Sequence, residues 1–492
     1  MKKQHTMNKN IQELAPQTLW KYFADICRIP HPSHHEQAIH DYLVAQAAAL
    51  GLSCTTDEAG NVILRKAATP GMENLKGVIL QAHMDMVPQK NGDKKFDFTT
   101  DSIEAYVDGD WVTADGTTLG ADNGIGMAAI LAVMASPDLQ HGPLEALITC
   151  SEEVGMDGAF GLKPGLLQGE ILINLDSETE GELYVGCAGG QDVSVTFTYK
   201  EEPVPADSRA YRLELKGLKG GHSGMEIILE RGNANKIMNR FLLEAQAQYG
   251  LRLASIDGGG LRNAIPRESV AVVTLPAAKA EAFEAAVASF ERLMQAELKG
   301  VDDGVNFRAV AVDVPASLID ADTQDRLLKS VAVCPNGIIR MSPAIAGLVQ
   351  TSTNLARVVS AEGTIQLHCM MRSSVDSEKD ALADSMKALF SLAGARTELS
   401  GAYSGWNPDP SSAILKTMLA EYKALYGREP EVKAIHAGLE CGILGGTYPG
   451  LDMISMGPTI QYPHSPDEKV NVSSVGRFWD FLCHVLAHIP TK

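Results

Sequence analysis

Residues 77–88 read GVILQAHMDMVP. A β-branched, leucine-rich run of this kind is a buried strand. It ends on His83 and Asp85, polar groups that cannot be buried without partners. The same pattern recurs twice downstream. LEALITCS (144–151) runs into Glu152 and Glu153, and EILINLD (170–176) ends on Asp176. Between them GIGMAAILAVMAS (124–136) is apolar at helical spacing. Strands that alternate with helices and finish in carboxylates describe an α/β sheet with helices on both faces. Such sheets keep their functional groups beyond the C-terminal strand ends.

Working outward, residues 17–50 read as two helices broken at IPHPS. The second, AIHDYLVAQAAALG, is amphipathic and closes on Gly51. NVILRK (61–66) is a further strand. From about Gly190 the character changes. QDVSVTFTYKEE and RAYRLELKG alternate apolar and polar residues, as half-buried antiparallel strands do. A helix (233–248), two strands (251–259 and 268–275) and a second helix (279–298) follow. A similar cycle then recurs: strand NFRAVAVDV, helix DADTQDRLLKSVAV, strands LVQTSTNLARVVS and TIQLHCMMRSS, helix SEKDALADSMKALFSLAG. This predicts two α+β units of roughly 100 residues each, one after the other. After Ser404 the α/β character returns, with a helix over 411–427, strands in EVKAIHAG and MISMGPT, and a closing helix over 472–489.

At 492 residues the chain is too long for one ordinary core, and its 45% hydrophobic and 21% charged content is that of a globular protein. No 18-residue apolar run suggests a membrane span. MKKQHTMNKN has two lysines without an apolar region after them, so no secretory signal is expected. A net charge of −19 argues against nucleic acid and anionic membranes as partners. The eight scattered cysteines lack CxxC spacing. They read as reduced thiols of a cytoplasmic protein. Nucleotide chemistry finds no GxxxxGK[ST] and no strand–GxGxxG–helix unit.

The chemistry-bearing residues form an ordered set: His83, Asp122 in LGADNGIG, Glu152 and Glu153, Asp176, and His464 in YPHSP. Each has an ordinary reading taken alone. HxD at a strand end also fits two solvated groups, Asp122 a helix cap, the glutamates a polar turn, and His464 a surface loop. Together they supply the mixed N/O donors that zinc accepts. Two divalent ions could be held with one carboxylate left for proton transfer, which points to hydrolysis by a metal-activated water. Asp85, two residues from His83, is placed to hold the second imidazole nitrogen. Four of the positions fall before residue 180 and the fifth near the end, so a large insertion separates two parts of one site.

With these residues in view, the chain resembles the M20 metallopeptidase family of aminoacylase- and carnosinase-like enzymes. The resemblance spans essentially the full length. It rests on HMDMV, GADNGIG, SEEVGMDGA and NLDSE, and on GGHSG, RNAIPRE and HAGLECG, which are specific to a dipeptidase branch. It implies an α/β/α sandwich catalytic domain of the zinc exopeptidase, phosphorylase/hydrolase-like kind over 1–187 and 400–492. An α+β lid of two ferredoxin-like units would be inserted over 188–399.

The family pattern assigns one metal to His83, Asp122 and Asp176 and the other to Asp122, Glu153 and His464. Asp122 bridges through a cis peptide to Asn123. Asp85 would orient His83, and Glu152 would be the general base and acid. In the lid, His222 would donate to the scissile carbonyl oxygen, Asn263 would orient substrate, and Arg372 would grip the terminal carboxylate. Gly438 would let backbone approach that carboxylate. The implied cofactors are two zinc ions, replaceable by cobalt or manganese. The implied substrates are unblocked dipeptides, including Xaa-His and beta-alanyl-histidine (carnosine). N-acyl amino acids or tripeptides are the alternative within this chemistry, and a non-catalytic metal-binding scaffold is the alternative outside it. A homodimer stays open, because in shorter-lid relatives the lid histidine comes from a partner subunit.

Overall fold

The structure is a computed structural model and describes residues 10–492. Most of the stretch that bears on a leader segment, residues 1–9, lies outside the described residues. Among those described, no helix is long and apolar enough to cross a membrane. The eight cysteines form no disulfide. The chain divides into two compact units, one made of residues 1–186, 408–434 and 439–492, the other of 187–407 and 435–438.

The first unit is built on an eight-stranded sheet. Its order is Ser53–Thr56, Val62–Lys66, Leu144–Thr149, Val78–His83, Ile171–Asn174, Asp452–Ser455, Glu182–Cys187 and Glu431–Ile435. The four central strands run parallel to one another, with His83 opposite Thr149 and Gln81 opposite Asn174, and the strands flanking these four are antiparallel to them. Every residue of Val78–His83 and Leu144–Thr149 is buried, as strands covered on both faces require. The helix Ala121–Ala135 is buried from Asn123 to Met134, which explains its apolar reading all round.

A small antiparallel sheet went unread in the sequence. It runs Ile460–Gln461, Lys469–Asn471, Trp111–Ala114, Ala105–Asp108. It fixes the 461–469 connection, and with it His464, against the chain entering Asp122.

The second unit has one antiparallel sheet in the order 306–312, 208–216, 269–276, 252–259, 349–361, 364–373, 189–198, 396–403. It contains two βαββαβ repeats, each with spatial order fourth–first–third–second, the ferredoxin-like plan. One repeat runs 208–312. The other opens with Gly189–Thr198 and resumes at the helix Ala321–Val333. The repeats are therefore nested, one inserted whole into the other, and not consecutive as expected. Asn306–Val312 closes the inner repeat instead of opening the outer one. Alternation identifies a strand and its buried face but not its partner, which here lies more than a hundred residues away. The two repeats join edge to edge through Asp257–Gly259 and Arg357–Val359. One core runs beneath both, with Phe241, Phe283, Phe290 and Phe307 under the inner repeat and Phe197, Met386 and Phe390 under the outer.

Candidate metal centre

His83 is the last residue of its strand, and Asp85 lies just beyond it, so strand alternation does not align the two. The chain bends instead. His83 Nδ1 lies 3.0 Å from the Asp85 backbone oxygen and 3.4 Å from its Oδ1. This leaves Nε2 facing outward. The Asp85 carboxylate also accepts the Glu152 N–H (2.9 Å), the Glu153 N–H (3.2 Å) and the Ser33 hydroxyl (2.8 Å). One buried carboxylate thus fixes both an imidazole and the turn carrying the adjacent acids.

Asp122 sits where the chain enters its helix, with non-helical φ/ψ (−84°, 105°) and a cis peptide to Asn123. Gly120 before it has φ 71°, a left-handed conformation that suits glycine. The N–H groups of Leu119, Gly120, Ala121 and Asp122 all donate to the Glu468 carboxylate, at 2.7, 2.9, 2.8 and 3.2 Å. Four converging amides at a helix start make an anion site, filled here by the protein's own side chain. Asn123 Nδ2 donates to the Leu175 carbonyl at 3.0 Å and to Asp176, tying the Asp176 loop to the same turn.

The resulting geometry has two halves. His83 Nε2 lies 3.2 Å from Asp122 Oδ1 and 3.2 Å from Asp176 Oδ1. His464 Nε2 lies 3.2 Å from Asp122 Oδ2 and 3.0 Å from Glu153 Oε1. Asp122 therefore gives one oxygen to each half. Ligands at about 2.0 Å in a tetrahedral shell stand roughly 3.3 Å apart, close to these separations. The donor set fits two borderline divalent ions.

The charge distribution fits them too. Burial raises the pKa values of Glu152, Glu153 and Asp176, the nearby charges of Asp176 and Glu153 adding to that of Glu152. Burial and the charges of Asp122 and Asp176 push Glu178 up to about 8. Burial alone would lower His83, but Asp176, Asp122 and Asp85 hold it well above its usual range. Contact with Asp122 and Glu153 holds His464 at about 11. Burial opposes ionisation of Asp85, yet His83, Ser33 and the Glu152 amide hold it at about 2. This crowd of acids calls for added positive charge, which two divalent ions supply. The Glu152 side chain makes no hydrogen bond among the described residues, so its carboxyl group is free for proton transfer.

The model for peptidase family M20/M25/M40 matches residues 79–488. The chain belongs to the M20 peptidase family. It is similar to the cytosol non-specific dipeptidase of Escherichia coli (strain K12), with 47% identity over 98% of this chain and 99% of that protein. It is also similar to the crystal structure of aminoacylhistidine dipeptidase from Vibrio alginolyticus, at 48% identity and TM-score 0.95, covering 98% of each chain. The aminopeptidase PepT of Bacillus cereus, at 15% identity and TM-score 0.57, shares the fold.

In this M20 peptidase the second unit gathers its own polar cluster. His222 lies in, and Asn263 beside, a two-residue ladder in which Gly221 pairs with Ile265 and His222 with Ala264. The N–H groups of Gly224 and Met225 donate to His222 Nδ1 (3.2 and 3.0 Å). That leaves the ring proton on Nε2. Arg372 is 4% exposed, with Nη1 3.3 Å from the Tyr403 hydroxyl and Nε unpartnered. No carboxylate ion-pairs with it among the described residues. His436 Nε2 lies 2.7 Å from the Ser352 hydroxyl, opposite Arg372 in the sheet. Burial and the Arg372 charge lower His436 to about 3, keeping it neutral. A Cβ on Gly224 would meet the His436 carbonyl at 2.2 Å and Arg372 Nε at 2.9 Å, so this close approach needs glycine. Gly438 lies partly buried in the bend that follows His436.

Several of these residues escaped the sequence reading. Glu440 is buried and accepts from Gln81 Nε2 (2.6 Å) and the Thr149 hydroxyl (2.8 Å). With Asn174 and Ser455 it forms a polar chain across the sheet beneath the candidate metal ligands. Glu440 and His436 both lie in HAGLECG, whose polar residues were the available signal. Glu468, four residues after His464, carried none.

Proposed function

We propose that this chain is a dinuclear metallo-dipeptidase that hydrolyses unblocked dipeptides, including Xaa-His and beta-alanyl-histidine. The observation that carries this reading is the paired geometry around Asp122. One oxygen faces His83 and Asp176, and the other faces His464 and Glu153, at tetrahedral ligand spacing. The similarity to two dipeptidases over nearly the whole chain supports the substrate class.

His83, Asp122 and Asp176 would hold one ion, and Asp122, Glu153 and His464 the other, zinc suiting the donors best. When bound, the ions would polarise the scissile carbonyl and lower the pKa of the attacking water. Glu152 takes a proton from that water and returns it to the nitrogen of the leaving amine as the C–N bond breaks. Asp85 keeps His83 and the Glu152 turn in register.

The inserted unit, spanning the expected lid region 188–399, would supply the substrate-binding groups. Arg372 takes the terminal carboxylate, for which its buried guanidinium has no competing partner. His222, with its proton on Nε2, donates to the carbonyl oxygen as negative charge develops there. Asn263 and the backbone at Gly438 complete the grip. A carboxylate clamp on one side and a fixed metal pair on the other would leave room for a dipeptide only.

The test is hydrolysis of L-carnosine and plain dipeptides by purified protein, stripped with EDTA and then given zinc. Zinc-restored cleavage, lost by about 100-fold or more in Glu152→Gln while both metals stay bound, is expected. Inactivity on free dipeptides with two metals present would overturn the reading and direct attention to N-acyl amino acids and tripeptides. Equal cleavage of long peptides would overturn the terminal-carboxylate clamp.

A further inference from the structure

The closing helix Val472–Leu486 packs antiparallel against Ala413–Tyr426. Tyr426 donates to the Arg477 carbonyl at 2.7 Å, and Tyr422 meets Phe481 edge to face at 5.0 Å. At the far end of this pairing the apolar contacts give way to Glu421, His484 and His488. His484 Nε2 lies 2.7 Å from Glu421 Oε2, and His488 Nδ1 lies 3.8 Å from the same oxygen. The two imidazoles stack with centroids 4.4 Å apart. One ring nitrogen of each and one carboxylate oxygen lie within 4.8 Å of one another. An ordinary ion pair would need only one of the histidines. His488 Nδ1 also lies 2.8 Å from the His484 backbone oxygen, a bond that an ion would replace.

We propose that Glu421, His484 and His488 form a third metal site, for a divalent transition ion, separate from the dinuclear centre. His484 lies in the last turn of the helix and His488 two residues past its end at Leu486, and one ring nitrogen of each can reach a single ion between them and Glu421. Two imidazoles and one carboxylate are a sufficient protein ligand set, with water completing the shell. The side chains of His484, Glu421 and His488 are 31%, 21% and 47% exposed, so an ion can enter without opening the core. Stacking already orders the rings, which limits the entropy lost on chelation. The proton between His484 and Glu421 is what the ion would displace. His484 lies roughly 18 Å along the helix from its start at Val472, and none of the three residues serves the dinuclear centre. An ion here would clip the closing helix to Ala413–Tyr426.

The experiment is calorimetric titration of Zn2+ into the wild-type protein and into a His484→Gln/His488→Gln variant. The wild type is expected to take up one more zinc per chain than the variant. Its melting temperature should rise on zinc addition by more than the variant's. Glu421→Gln should weaken the same uptake by about tenfold. Equal zinc uptake and equal melting shifts in wild type and variant would overturn the proposal. The difference between two proteins is what is read, so the result is independent of the proposed dinuclear chemistry. Dipeptide hydrolysis, if present, should be the same in both.

Discussion

Asp85 Oδ1 accepts the backbone N–H of Glu152 at 2.9 Å while standing 3.4 Å from His83 Nδ1. A single buried carboxylate therefore joins the imidazole that would ligate a metal to the turn carrying the proposed general base. Asparagine at this position offers one acceptor oxygen and presents an NH2 group to donors already there. We expect Asp85→Asn to lower kcat and metal affinity by roughly 10–100-fold, with KM nearly unchanged. Steady-state kinetics with metal analysis checks this. A variant with wild-type kcat would show that Asp85 is not needed for positioning.

His464 is the histidine through which pH should act on metal loading. Its imidazole, between Asp122 and Glu153, is held at about 11, so the metal-free site binds it protonated at neutral pH. His83 is raised as well. Metal ions must displace these protons, so zinc affinity should rise with pH and uptake should release about two protons per chain at neutral pH. Calorimetry in buffers of different ionisation heat measures the number, and buffer-independent heats would contradict it. The metal-free protein carries the converse dependence. A folded-state pKa raised above the ordinary 6.5 gives stability that is complete below 6.5 and lost as pH rises towards 11. Its melting temperature should fall across that interval.

Arg372 illustrates a cost kept for binding. Its guanidinium is buried without an ion-pairing carboxylate among the described residues, and Nε has no partner. A charge in this condition is destabilising until an anion arrives. Arg372→Met should raise folding stability by roughly 1 kcal/mol, since it fills similar space without charge. The same change should raise KM for dipeptides by about 10–100-fold, the value of a lost charged hydrogen bond. Urea unfolding and kinetics on one preparation test both. Loss of stability together with unchanged KM would make Arg372 a structural residue.

The pattern of legibility follows from where each kind of information resides. Strand runs such as Val78–His83 and Leu144–Thr149 are fully buried, so their apolar composition announces them and the acids after them stand out. The bend that aims Asp85 at His83 is local backbone geometry past the strand end, which periodicity does not encode. Glu468 reaches a loop 346 residues earlier, and Glu440 reaches Gln81 across 359. Glu468 is a single acid in an irregular segment and Glu440 opens a short helix, so no alternation marks either as buried. The nesting of the two repeats in the second unit escaped because sequence patterning does not name a strand's partner. Gly189–Thr198 looks like any half-buried strand, and only its pairing with Thr364–Ser373 and Arg396–Tyr403 assigns it to the outer repeat.

Glu468 shows how much of the centre depends on a residue that touches no metal ligand atom. Its two oxygens accept four amides from Leu119 to Asp122, and no other acceptor among the described residues closes that turn. Burial and the Asp122 charge raise its pKa to about 7 against the pull of those amides. Glutamine would keep one oxygen and point an NH2 group at the other two N–H donors. Two buried amides would then be unpaired, at about 1–3 kcal/mol each. We expect Glu468→Gln to destabilise the metal-free protein by roughly that amount and to weaken zinc binding, because the turn that aims both Asp122 oxygens loosens. Glu468→Asp should not rescue it, since the shorter side chain cannot span the four donors. Chemical unfolding and zinc titration of the two variants give the answer. Wild-type stability and zinc affinity in Glu468→Gln would mean that the turn is held by the backbone alone.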